Sequence, residues 1–95
     1  MREHTYHLDR GSHSITVAVH AHEVELLVDG RTVDVQPPPH DHDTLLHGAL
    51  PEEPPQDFEI RLTQRRHGRR QQQQRCVLSL GGGVESVPER THSWY

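Results

Sequence analysis

The chain has 95 residues, of which 31% are hydrophobic and 4% aromatic, enough for one thin-cored domain. Its net charge of −4 is too modest to force disorder. The one cysteine, Cys76, excludes an intramolecular disulfide and any CxxC zinc or redox motif, and no run of 18 or more apolar residues offers a membrane span. Met1 is followed by Arg2-Glu3-His4 with no apolar stretch of signal-peptide length, so the expectation is a soluble cytoplasmic protein in a reducing compartment. Lysine and asparagine are absent, which points to GC-rich, bacterial coding. Such coding raises the chance expectation for Arg, His, Pro and Gly.

Residues 3–36 read as a four-stranded antiparallel meander, because three sets of apolar residues come into register about three turns. Pairing about Gly11-Ser12 sets Tyr6 against Val17 and Leu8 against Ile15. Pairing about Ala21-His22 sets Val19 against Val24, Val17 against Leu26 and Ile15 against Val28. Pairing about Asp29-Gly30 then predicts Leu26 opposite Val33 and Val24 opposite Val35, on the same face. Asp-Gly suits a type I′ turn and Gly-X a type II′ turn. Ala21-His22 lacks a residue at ease with positive φ, so the alternative there is a four-residue loop from His20 to Glu23 with the same register.

Residues 36–57 hold six of the seven prolines and read as a connection that interrupts any ladder. Within it, Thr44 to Leu50 is a candidate helical turn with Asp43 as N-cap. Phe58, Ile60 and Leu62 then alternate with polar residues, as do Cys76, Leu78 and Leu80. Pairing Leu62 with Cys76 and Phe58 with Leu80 gives a second hairpin, 57–63 with 75–81. The Arg/Gln-rich arm between, residues 64–75, is a mobile loop or a polar hairpin arm turning near Gly68 to Arg70. Gly81-Gly82-Gly83 breaks the strand, and Val84 to Val87 offers a short last one. The expected fold is therefore all-β, with the meander covered by the second hairpin as a small β-sandwich or a partly open barrel. Self-association is the alternative cover for the meander's apolar face.

Three features bear on function. First, the outer face of the meander carries His20, Glu23, Glu25 and Asp34, with Glu25 and Asp34 expected as direct cross-strand neighbours needing a cation, a protonated histidine or a metal between them. Second, His40-Asp41-His42-Asp43 and His47 suit zinc or nickel by ligand type, although all lie in one Pro-flanked segment. Third, residues 64–75 hold Arg65, Arg66, Arg69, Arg70 and Arg75 and no acid, so this arm is +5 while the rest of the chain is −9. Such an arm fits an acidic protein partner or, less well, phosphates, because it lacks the stacking aromatics of single-strand readers.

Catalytic signatures are missing: Cys76 falls in phase with Leu78 and Leu80, as a packing thiol does. Gly81-Gly82-Gly83 is followed by neither a lysine nor a helix pattern, so it matches no phosphate-binding loop. The expectation is a small non-catalytic binding protein, self-associating through its sheet, with divalent-metal binding and polyanion binding as alternatives.

Overall fold

The computed structural model of the chain describes residues 4–67 and 71–90. They form eight strands and no helix: β1 (His4–Arg10), β2 (His13–Val19), β3 (Val24–Val28), β4 (Arg31–Gln36), β5 (Thr44–Leu50), β6 (Gln56–His67), β7 (Gln71–Leu80) and β8 (Gly83–Ser86). Two antiparallel sheets result, in the orders β1-β2-β3-β4 and β5-β6-β7-β8. Their inner faces meet in one cluster of buried apolar side chains that includes Ile15, Val17, Val24 and Leu26 from the first sheet and Leu46, Ile60, Leu62 and Leu78 from the second. The fold is a small β-sandwich, not a closed barrel, and the meander's apolar face is covered by a full second sheet.

The first two hairpins follow the alternation of the sequence. Tyr6 faces Val17, Leu8 faces Ile15, Val17 faces Leu26 and Val19 faces Val24, and every second residue of β3 is buried while its neighbours are not. At the first turn only Gly11 has positive φ, whereas Asp29 and Gly30 both do, as types II′ and I′ require. The middle connection takes the four-residue form, closed by a hydrogen bond from His20 N to Glu23 O at 2.8 Å.

The third hairpin departs from the expected register. Val28 pairs with Arg31 and Leu27 with Thr32, but a bulge then sets Leu26 against Asp34 and Glu25 against Val35. Val33 and Val35 therefore do not join the core; each is 47% exposed. The cause lies in the next strand. Asp34 accepts hydrogen bonds from the backbone N of His47 on β5, at 2.9 Å, and from Gln36 Nε2, at 3.1 Å. One extra residue in β4 turns this carboxylate toward β5, where it satisfies an amide at the corner between the sheets.

The stretch 36–57 is not one unbroken connection, and the expected helical turn after Asp43 is strand β5, antiparallel to β6 from Thr44↔Leu62 to Leu50↔Gln56. Thr44, Leu46 and Leu50 are buried, whereas Leu45, His47 and Ala49 are exposed. The prolines lie outside the strand, at 37–39 and 51–55. The inward position between Leu46 and Leu50 is Gly48, where a Cβ would lie 2.8 Å from Phe58 Cζ and 3.2 Å from Leu26 Cδ2. That glycine lets the two sheets close over the Phe58 ring.

The second sheet continues as expected, with Leu62 opposite Cys76 and Phe58 opposite Leu80, then β8 after the Gly81-Gly82 turn. The chain leaving β8 changes sheet. Val87 N donates to Cys76 O, His7 N donates to Pro88 O, and Arg90 N donates to Thr5 O. This segment covers the outer edge of β1 and reduces the length of unpaired strand edge. An ion pair between Arg10 and Glu85 joins the same two sheets.

Candidate functional site

The charge-rich arm is an extension of the β6–β7 hairpin. Its ladder runs on from Leu62↔Cys76 through Thr63↔Arg75, Gln64↔Gln74, Arg65↔Gln73 and Arg66↔Gln72 to His67↔Gln71. Neither flanking strand follows: β5 stops opposite Leu62, and β8 reaches only Val77. Beyond those points the hairpin is a two-stranded ribbon with no strand on either side among the described residues. Its described five-residue reach past Leu62 is about 17 Å of strand. The buried cluster ends where the ribbon begins, at Leu62 and Cys76. At its root the Tyr6 hydroxyl donates to Gln74 Oε1 at 2.9 Å, tying the ribbon to β1, and burial raises the Tyr6 pKa so that the hydroxyl keeps its proton. Of the five arginines, Arg65, Arg66 and Arg75 fall within the described ladder, while Arg69 and Arg70 lie outside the described residues.

The histidine and carboxylate candidates are dispersed. Glu25 is not beside Asp34, because the bulge turns Asp34 toward β5; instead Glu25 accepts a hydrogen bond from Thr32 Oγ1 and lies 3.3 Å from His20 Nε2. The Thr32 bond first, and His20 second, hold the Glu25 carboxyl below its ordinary range. Glu23 lies in the exposed β2–β3 loop. On β5, His47 faces Glu59, with Nε2 and Oε2 3.1 Å apart. His40 and His42 line a cavity of about 300 Å³ together with Asp41, Asp43 and Pro38, and Asp43 also pairs with Arg61 at 3.3 Å. Among the described residues no three His, Cys, Asp or Glu side chains converge in a way that could hold a metal ion.

A different histidine pair, not among those candidates, has a structural task. Asp29, at the β3–β4 turn, accepts from Ser14 N at 2.9 Å and from His13 Nδ1 at 2.8 Å, and its own N donates to Ser14 O at 2.9 Å. The turn is thereby clasped to β2. The backbone bond first, then the histidine, keeps the Asp29 carboxyl below its ordinary pKa. The sequence signal was available in the alignment of His13-Ser14 with the turn residue Asp29 once β2 and β3 are paired. Cys76 is 3% exposed, and burial pushes its thiol up to about 12, the environment of a packing residue and not of a nucleophile.

No protein-family model matches the chain, and no curated protein or solved structure matches it either. No helix among the described residues is long and apolar enough to cross a membrane.

Proposed function

We propose that this chain is a small non-catalytic binding protein that presents the β6–β7 ribbon to an acidic protein partner. One observation carries the reading: the hairpin outgrows both neighbouring strands over residues 64–67 and 71–75, within the sequence segment 64–75 that holds five arginines and no acid. Ordering a polar ribbon costs conformational entropy and returns none of the core burial that stabilises the sandwich. Arginine is suited to its proposed use, since each guanidinium pairs bidentately with a carboxylate. Residues 64–75 hold no aromatic side chain on which bases could stack, which favours a protein partner over single-stranded nucleic acid.

Fluorescence anisotropy tests this with labelled poly-glutamate and, in parallel, a labelled DNA duplex. The expected outcome is binding of poly-glutamate that weakens with salt and is lost when Arg65, Arg66, Arg69 and Arg70 are changed to Ala. Tighter binding of the duplex would replace the acidic-protein reading with a nucleic-acid one. Absence of binding to both at low salt would overturn the role of the ribbon altogether.

Self-association is a second reading, supported by the exposure of Val33, Val35 and Leu45 on the adjoining strands β4 and β5. With the sheet face covered, this edge is the proposed route. Sedimentation velocity across a concentration series should then show a dimer that Val35→Asp dissociates. A monomer at every concentration would remove the reading.

A further inference from the structure

At the end of the sandwich opposite the ribbon, Val28, Asp29, Arg31 and Val33 of the β3–β4 hairpin face Ala49 and Pro51 at the end of β5 across a cleft of about 480 Å³. Sites for small ligands commonly have about 300 to 1,000 Å³, apolar walls and one or two polar groups that fix orientation. Four of the six lining residues are apolar. Val33 belongs to this wall because of the bulge in β4; in the regular register it would have been a core residue opposite Leu26.

The two charged groups at the cleft are not equivalent. Asp29 is committed on both oxygens, to Ser14 N and to His13 Nδ1. Arg31 is exposed and makes no ion pair among the described residues, so its guanidinium offers a fork of donors beside an apolar wall.

From this we infer that the cleft binds a small monocarboxylate with an apolar body, its carboxylate on Arg31 and its hydrocarbon along Val28, Val33, Ala49 and Pro51. A cation is disfavoured because the Arg31 guanidinium lines the same cleft and repels it, while the Asp29 carboxylate already accepts two hydrogen bonds. A dianion such as a phosphate monoester is disfavoured because one guanidinium would face two negative charges with Asp29 close by. The inference uses none of the ribbon's residues and stands or falls separately from its role.

Titration of octanoate into the full chain, followed by amide shifts in a nuclear magnetic resonance spectrum, tests it. Saturable shifts are expected at Val28, Arg31, Val33 and Ala49, with 1-octanol and acetate each binding at least about tenfold more weakly, since each lacks half of the recognition. Arg31→Gln should weaken octanoate by about tenfold or more while leaving 1-octanol unchanged, and because Arg31 is exposed the variant should melt as the parent does. Val33→Ala should weaken octanoate and 1-octanol together. Non-saturable shifts, equal octanoate binding by Arg31→Gln, or tighter binding of octyl phosphate than of octanoate would overturn the proposal.

Discussion

The two sheets share a topology and differ in how their strands match. In β1–β4 the strands have seven, seven, five and six residues, so nearly every residue has a cross-strand partner, and the inner face is apolar from Ile15 to Val19 in β2 and throughout β3. In β5–β8 they have seven, twelve, ten and four. Only the part of β6 and β7 up to Leu62 and Cys76 supplies the core; the rest keeps its ladder but has neither flanking strands nor apolar residues. Matched strands build the body of this protein, and the mismatch leaves a charged projection that packing does not account for.

Substitutions on the two sides of this division should differ sharply. The largest effect is expected from Leu26→Ala or Leu46→Ala, one from each inner face and both 0% exposed, at about 2 to 5 kcal/mol each. Chemical denaturation measures it; a loss below 1 kcal/mol at either, on the order of a surface change, would mean that the sheets do not face each other there. Gly48→Ala comes next, at about 1 to 3 kcal/mol, because the new methyl meets the Phe58 ring and Leu26. An unchanged midpoint would show that the sheets are further apart than described. Val35→Ala, on the bulged strand, should stay within about 0.5 kcal/mol, and a core-sized loss would restore the unbulged register.

The smallest effect concerns the Asp29 clasp, tested with Asp29→Asn, which tolerates the positive φ. The Asp29 carboxyl has its folded pKa below the ordinary value near 3.8, so its stabilisation is complete above that value and is lost as pH falls through the lower folded one. Parent and variant should therefore differ near neutral pH and converge in acid. A difference that instead grows in acid would contradict the clasp.

The meander was legible because three turns constrained one another, and the first two hairpins lie in the predicted register. The third failed at Leu26 because the sequence pattern rewards Val33 and Val35 as core residues, whereas the need of the His47 amide for Asp34 comes from a strand distant in the chain. β5 was hidden for a related reason. Leu46 and Leu50, four apart, satisfy the helical period as well as the strand period, and Gly48 removes the apolar residue that would have completed the alternation. The arm was legible as a charge run that a mobile loop or a polar hairpin would equally fit; the continued ladder and its freedom from both neighbours depend on where β5 and β8 stop. The His40, His42 and His47 set rests on proximity in sequence, and strand geometry sets His47 against Glu59; the outer-face set rests on a regular β3–β4 register, and the bulge sets Glu25 against Val35 instead of Asp34.

The ribbon's role is tested most directly by the salt dependence of poly-glutamate binding, measured for the parent chain and for the variant with Arg65, Arg66, Arg69 and Arg70 changed to Ala. The account predicts that parent affinity falls steeply between roughly 50 and 200 mM salt, as binding carried by several ion pairs does, and that the variant, equally stable because the core stops at Leu62 and Cys76, shows no measurable binding at either salt. Equal binding by parent and variant, or parent binding indifferent to salt, would contradict it.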